Sequence, residues 1–195
     1  MDYPIFESEA PIQKNSFDNF TKEEVELYFN WYTGHIDERI EYLQKYIQKD
    51  DILIKLDFSV ASLISVWEWY EKKIVVEHYT RRELKKEAKK YPDWLREEIL
   101  SDDTKITVNT LAICDDLAIY FAEVIRRNNL EHIYWGYYTK PKNRMSVNEP
   151  VLLGFVKDME MNPRRIVYNC TLCSTEKKDK EMLINLYYTW IKYIE

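Results

Sequence analysis

Hydrophobic side chains recur at helical spacing through residues 21–128, and this pattern predicts that the first two thirds of the chain form a helical region. The segments Thr21-Lys22-Glu23-Glu24 and Thr80-Arg81-Arg82-Glu83 both have the sequence of a capping box, in which the side chains of a threonine and of a glutamate three residues later accept hydrogen bonds from each other's backbone amides. We therefore expect helices to begin at both positions. Residues 1–20 contain Pro4 and Pro11, which predict an irregular lead-in.

Residues 104–128 give the longest and most apolar helical pattern. Two adjacent hydrophobic stripes cover more than half of the helix circumference, which is typical of a helix at the centre of a protein. The stripes consist of Leu111, Cys114, Ala118, Phe121 and Ile125, and of Ile113, Leu117, Tyr120 and Val124. We therefore expect this helix to be the most buried element of the chain.

The pattern changes after residue 128. Residues 132–138, 151–156 and 165–170 are short segments rich in β-branched or aromatic residues, bounded by proline and asparagine, and they predict three strands. No helix is expected between them, so they predict a small antiparallel sheet within residues 130–173, followed by an amphipathic helix over 177–195. The predicted fold class is α+β, a predominantly helical single domain over residues 1–195.

The net charge of −6 is concentrated near the start, because residues 1–60 contain 13 acidic and 6 basic side chains. An acidic chain repels phosphate backbones, so general nucleic-acid binding is disfavoured and a basic protein partner is favoured. Residues 81–90 are the exception, with six basic and two acidic side chains. They predict an exposed helix, and a nucleic-acid-associated factor that uses this helix is kept as a third hypothesis.

Several classes of ligand and location are disfavoured by composition. The chain has only 3 glycines and no glycine-rich phosphate loop, so we expect no nucleotide cofactor, and no other cofactor is indicated. No apolar run approaches the ~18 residues that span a bilayer, so no membrane partner is expected. The start lacks the pattern of a signal peptide, and the 3 cysteines, an odd number, argue against a set of disulfide bonds, so we expect a cytoplasmic protein. The oligomeric state is left open.

Cys170-Thr171-Leu172-Cys173 is a recognisable short motif. A cysteine pair between a predicted strand and a helix could be a redox pair or half of a zinc site. The βαβ context of a redox motif is missing, and so is a second pair of metal ligands. We therefore interpret Cys170 and Cys173 as structural, with metal binding and redox chemistry as weaker alternatives, and expect no metal.

Asp115, Asp116 and Glu123 lie on the polar side of the predicted central helix. Clustered carboxylates could bind a divalent metal or act in acid–base catalysis, which gives the hypothesis of an enzyme. The simpler interpretation is a solvated face or a set of ion pairs, such as Glu123 with Arg127 four residues later. No complete catalytic constellation is present, and we expect a non-enzymatic protein-binding module instead.

Aromatic residues near acidic ones give the candidate partner-binding surface. Trp31, Tyr32 and Trp69 fall off, or at the edge of, the main apolar stripes of their helices and could anchor a protein partner. Acidic residues of the first helices, including Glu38 and Glu41, could steer a basic partner to them. The alternative is that these rings complete the hydrophobic core and the acids only keep the protein soluble.

The order of several short segments gives a further indication. They are Phe20-Thr21-Lys22-Glu23-Glu24, Trp67-Glu68-Trp69-Tyr70, Asp116 with Tyr120 and Glu123, Trp135-Gly136, Pro150-Val151-Leu152-Leu153-Gly154-Phe155 and Asn162-Pro163. In this order, from residue 17 to the C-terminus, the chain resembles a family of small uncharacterised bacterial proteins with no established activity. The resemblance implies an α+β fold and residence in the cytoplasm. By size and charge alone the chain is similar to immunity proteins that neutralise toxins.

Overall fold

The computed structural model describes residues 3–14, 16–141 and 144–194. Helices make up 57% of the chain, and the sheets are antiparallel pairs of short strands, so the α+β fold class is confirmed. Eight α-helices lie within the described ranges: α1 (Lys22–Gly34), α2 (Ile36–Ile47), α3 (Ser62–Glu71), α4 (Arg81–Ala88), α5 (Asp93–Ser101), α6 (Val108–Arg127), α7 (Pro163–Glu176) and α8 (Met182–Trp190). The strands are β1 (Val76–His78), β2 (Thr104–Ile106), β3 (Tyr134–Gly136) and β4 (Val151–Leu153).

Both predicted capping boxes are present. At the start of α1 the Thr21 hydroxyl accepts from the Glu24 amide at 3.3 Å, and the Glu24 carboxylate accepts from the Thr21 amide at 2.7 Å. At the start of α4 the same pair of bonds joins Thr80 and Glu83, at 3.3 and 2.9 Å. Each box satisfies backbone donors that the first helical turn leaves without a partner.

Helix α6 lies at the centre of the hydrophobic core, as its two stripes predict. Residues 112–125 of this helix are buried except for Asp115, and it packs against α7 and α2. The predicted start at residue 104 is wrong, because residues 104–106 form β2, which pairs with β1. The helix begins after Thr107, whose hydroxyl accepts from the Thr110 amide at 3.3 Å.

The C-terminal third has a smaller sheet than predicted. Strands β3 and β4 pair antiparallel, and one isolated bridge joins Leu152 to Met161. The predicted third strand over 165–170 is wrong, since these residues lie inside α7. Asn162 caps this helix by accepting from the Arg165 amide at 3.2 Å, and Pro163 occupies its first turn, where the missing N–H costs nothing.

The two ends of the chain pack against the core. The lead-in contains short 3-10 turns at Phe6–Glu9 and Phe17–Asn19, and Tyr3, Phe6 and Ala10 are buried. The predicted C-terminal helix is present as α8, with Leu183 and Tyr187 buried. No helix in the described ranges is long and apolar enough to cross a membrane.

Residues 75–107 form an arm that stands apart from this core. The arm runs β1, α4, α5, β2, with the two strands as its stem and the helices packed on each other. None of its hydrophobic side chains belongs to the hydrophobic core cluster or is one of the partly buried side chains packed on that cluster, although every residue of the arm is described. The buried Thr110 holds the base of the stem, because its hydroxyl oxygen accepts from the Val75 amide at 3.0 Å and its hydroxyl donates to the Lys73 carbonyl at 3.2 Å.

Candidate functional site

Helix α4 presents a basic face to solvent. Its members are Arg81, Arg82, Lys85, Lys86 and Lys89, all of them exposed. At 3.6 residues per turn the five side chains spread over about 140° of the helix circumference, and Leu84 and Ala88 border this arc next to Arg81. No carboxylate within residues 3–14, 16–141 and 144–194 forms an ion pair with any of the five. The basic face therefore holds unneutralised charge that is available to a ligand or partner.

Helix α5 presents the opposite charge around an exposed indole. Trp94 is 80% exposed, and no residue of α5 is buried. Glu97 and Glu98 follow Trp94 by three and four residues, so their carboxylates flank the ring on the same side of the helix. Leu95 and Ile99, four residues apart, are half-buried and form the opposite side. We call Trp94, Glu97 and Glu98 the Trp94 surface.

Ion pairs tie α4 to the stem of the arm. Lys105 of β2 lies 3.3 Å from the Glu83 carboxylate and 3.4 Å from that of Glu77 in β1. Hydrogen bonds from the Thr80 side chain and amide, with Lys105, lower the pKa of Glu83 to about 2. The carboxylate is thus ionised at every ordinary pH and fixes the start of α4 relative to the strands.

The predicted aromatic anchors do not lie on an open surface. Tyr32 is 1% exposed and Trp69 is 4% exposed, with the Trp69 indole donating to the Asp50 carboxylate at 3.0 Å. Trp31 is half-buried and stacks on Phe6 with ring centroids 4.4 Å apart. Tyr32 and Trp69 therefore pack within the core, because the lead-in and the loop after α2 supply neighbours that helical spacing does not reveal. A role of the half-buried Trp31 in binding stays a prediction.

The acidic residues of the first helices are exposed but partly neutralised. Glu38 and Glu41 both face solvent on α2, and Glu41 pairs with Lys45 at 2.6 Å. Asp37 pairs with Arg127 at 2.5 Å. Exposed pairs of this kind reduce the field that a partner meets, so the net charge of residues 1–60 overstates the steering that these helices provide.

Asp116 forms a buried ion pair with Arg39. Arg39 donates to both carboxylate oxygens, at 2.8 and 2.7 Å, and the Tyr3 hydroxyl donates to one of them at 2.5 Å. Burial raises the pKa of Asp116 to about 6, and the bonds from Arg39 and Tyr3 limit the rise. All of the hydrogen-bonding partners come from the lead-in and α2, so this carboxylate joins the N-terminal segment to the central helix.

Asp115 binds a different arginine beside a cavity. The Arg164 guanidinium lies 3.1 Å from Asp115 and 2.5 Å from Glu7, and the Tyr28 hydroxyl donates to Glu7 at 3.0 Å. Burial raises the pKa of Asp115, although Arg164 opposes the rise. A cavity of about 480 Å³ between the lead-in, α6 and α7 is lined by these charged groups and by apolar side chains, including Leu111.

Glu123 is held by a third set of donors. Arg126 and Arg127 donate to its carboxylate at 2.7 Å through their Nε atoms, and the Trp135 indole donates at 2.8 Å. Burial favours the neutral acid, but these bonds outweigh it and keep the pKa of Glu123 below its usual value. The three acidic candidates therefore do not converge on one site: each is engaged by its own arginine or arginines.

The cysteine motif lies inside α7 rather than before a helix, so that part of the prediction is wrong. Cys170 is buried, and burial raises the pKa of its thiol to about 12, whereas Cys173 faces solvent. Burial also raises the pKa of the Cys114 thiol to about 12. No three histidine, cysteine, aspartate or glutamate residues in the described part of the chain are grouped so as to hold a metal ion.

The arm is the feature that sequence reasoning missed. Residues 81–90 were expected as an exposed helix, but Trp94 was not singled out. The available signal was the short, narrow stripe of Leu95 and Ile99, which leaves the preceding tryptophan on the other side of α5. No family model matches the chain, and no curated protein or solved structure matches it either.

Proposed function

We propose that this chain is a non-enzymatic protein-binding module, and that the Trp94 surface of the arm binds a basic protein partner. The observation that carries the proposal is the 80% exposure of Trp94 on a helix outside the core. Large exposed aromatic side chains are the residues that most often contribute the binding energy of protein interfaces. The residues around such a ring keep water out of the contact once a partner covers the ring.

The charge around the ring selects the kind of partner. Glu97 and Glu98 form no ion pair with any described side chain. A partner that covers Trp94 must desolvate these carboxylates or neutralise them, and basic side chains do the latter. The same requirement disfavours phosphate groups, which would be repelled. Glu38 on α2 is a further exposed carboxylate, which forms no ion pair with a described side chain and adds to the negative net charge of the chain.

The arrangement of reactive side chains supports a binding role over catalysis. Asp115, Asp116 and Glu123 accept hydrogen bonds from arginines, which leaves them poorly placed to exchange protons with a substrate. The thiols of Cys114 and Cys170 are protonated at neutral pH, so they are weak nucleophiles. An immunity-type inhibitor that covers a basic protein is one form such a module takes. We place its action in the cytoplasm, where free thiols are stable.

Affinity capture tests the proposal. The full chain, Trp94→Ala and a matched control, Tyr188→Ala, would be immobilised and exposed to lysate at low salt, with bound proteins identified by mass spectrometry. Tyr188 is a half-exposed tyrosine of α8 and is not part of the arm. We expect a basic protein to bind the parent and the control, to bind Trp94→Ala about 30-fold more weakly or worse, and to be released by salt.

A second pair of variants locates the surface. Glu97→Lys/Glu98→Lys should abolish binding of the same partner, whereas Glu38→Lys/Glu41→Lys on α2 should weaken it only slightly. The reverse result would place the interface on α2 and contradict the role of the arm. Retention of the partner by Trp94→Ala would contradict the proposal itself.

A further inference from the structure

We infer that the arm pairs with the arm of a second copy of this chain, so that α4 of each copy lies on α5 of the other. The inference rests on the proposed function, because it names the basic partner of the Trp94 surface. Its starting point is that one arm carries both signs of charge on separate helices. Residues 81–90 hold six basic and two acidic side chains, whereas residues 93–103 hold five acidic and one basic.

This division of charge makes the arm complementary to itself. In a two-fold symmetric dimer the same contact occurs twice, since residue i of one copy meets residue j of the other and j meets i. The basic face of α4 would therefore meet Glu97 and Glu98 of the second copy at both ends of the interface. Each contact would give Glu97 and Glu98, which form no ion pair with a described side chain, cationic partners among the five members of the basic face.

The geometry of the two helices suits such a pairing. Helices α4 and α5 span 8 and 9 residues and pack on each other in sequence order, so their lengths match within one residue. At ~1.5 Å per residue each is about 12–14 Å long, enough for two turns of contact. Leu84, Leu95 and Ile99 are half-buried and Ala88 is buried, so these four are the least exposed apolar side chains of the two helices. The charged outer sides remain free for a second copy.

Trp94 supplies the apolar centre of this contact. Lysine and arginine side chains carry long hydrocarbon stems that cover apolar surface while their charged ends reach carboxylates. A cation over the indole face adds a further attraction. The basic face of α4 therefore offers both the stems for the Trp94 ring and the charges for Glu97 and Glu98. An anionic membrane or a nucleic acid would match the cations of α4 but not the carboxylates of α5.

Sedimentation of charge-reversed variants tests the pairing. Lys85→Glu/Lys86→Glu places two carboxylates at the centre of the basic face, and Glu97→Lys/Glu98→Lys places two cations beside Trp94. We expect the parent chain to dimerise at low salt, each variant alone to dissociate about 100-fold more readily, and an equimolar mixture of the two to form a heterodimer. Native mass spectrometry would identify one copy of each variant in that species.

Matched controls exclude a general effect of charge. Lys177→Glu/Lys178→Glu and Glu176→Lys/Glu181→Lys make the same charge changes at exposed positions that are not part of the arm. Both should dimerise like the parent. Circular dichroism and thermal unfolding of every variant would establish that the arm variants remain folded, as expected for exposed positions.

The outcomes separate this inference from the proposed function. A parent chain that stays monomeric at high concentration and low salt overturns self-association, as does a mixture of variants that fails to pair. If such a monomer still captures a basic protein that Trp94→Ala loses, the proposed function stands without the dimer. If it captures nothing, or only nucleic acid through α4, both are wrong.

Discussion

Helix α6 and the arm place their side chains in opposite environments. In α6, residues 112–125 are buried except for Asp115, and even Asp116 and Glu123 are fully buried. In the arm, Ala88 is the one helical residue that is buried, and Trp94 is largely exposed. These two parts of one chain thus contribute in different ways, α6 to stability and the arm to surface chemistry.

Charged side chains are paired in α6, whereas many of those in the arm have no ion-pair partner in the described part of the chain. Every carboxylate that α6 buries has an arginine beside it, because an unpaired buried charge would cost several kcal/mol. Within the described residues the arm leaves five cations and three carboxylates, Glu97, Glu98 and Asp102, without an ion pair, at little cost because water solvates them. Changes in α6 should therefore alter the free energy of unfolding, and changes in the arm should alter association.

The largest expected effect follows from breaking the buried ion pair between Asp116 of α6 and Arg39 of α2. Asp116→Ala leaves Arg39 with one backbone acceptor, the Pro4 carbonyl at 3.0 Å, in a buried position. We expect a loss of about 3–5 kcal/mol in the free energy of unfolding, measured by urea denaturation. The double variant Asp116→Leu/Arg39→Met should recover most of this loss, since it removes both charges. A single variant as stable as the parent would show that the pair does not form.

A smaller effect is expected where the arm joins the core. Thr110→Val keeps the volume of the side chain but removes the hydroxyl that bonds the Val75 amide and the Lys73 carbonyl. We expect a loss of about 1–3 kcal/mol and faster hydrogen exchange at the stem amides. Thr175→Val, at an exposed position of α7, is the control and should change neither. Unchanged stem exchange in Thr110→Val would mean that other contacts hold the arm.

A still smaller effect on stability is expected at the Trp94 surface. Trp94→Ala removes a ring with few neighbours, so the free energy of unfolding should change by less than about 0.5 kcal/mol. Phe121→Ala, in the fully buried part of α6, is the comparison and should cost about 3–5 kcal/mol. A strongly destabilised Trp94→Ala would show that the ring belongs to the packed structure, and binding losses in that variant could not then be assigned to an interface.

Local patterns in the sequence predict where helices begin and which residues they contain. They predict less well which other elements each helix or strand contacts. The stripes of α6 and both capping boxes are confirmed because helix formation depends on residues three and four apart. The strand over 165–170 is wrong because Asn162-Pro163 starts a helix there, and this local signal outweighs the β-branched composition that follows it. The start of α6 at residue 104 is wrong because β2 depends on pairing with β1, about thirty residues earlier.

The candidate site is harder to predict from the sequence than the helices are, since it depends on contacts between residues far apart in the chain. Arg39 and Asp116 are 77 residues apart, so their pairing has no local signature. The burial of Tyr32 and Trp69 likewise depends on which other elements cover them. The basic composition of α4 is visible in the sequence. Its place on an arm is not, because that depends on the hydrophobic side chains of α4 and α5 lying outside the core cluster.

The smallest expected effect concerns the first turn of α4, where Glu83 accepts from Thr80 and lies beside Lys105. These bonds lower the pKa of Glu83 to about 2 from an ordinary value of 4.5. Because the folded pKa lies below the unfolded one, the carboxylate stabilises the arm fully above about pH 4.5, and this contribution is lost as the pH falls from 4.5 through 2. A carboxyl NMR titration should show Glu83 ionised well below pH 4.5. Amide protection at the start of α4 should weaken over the same range in the parent and show no such change in Glu83→Gln. Titration of Glu83 near 4.5 would mean that the capping box and the Lys105 contact do not persist in solution, and that α4 is not fixed on its stem.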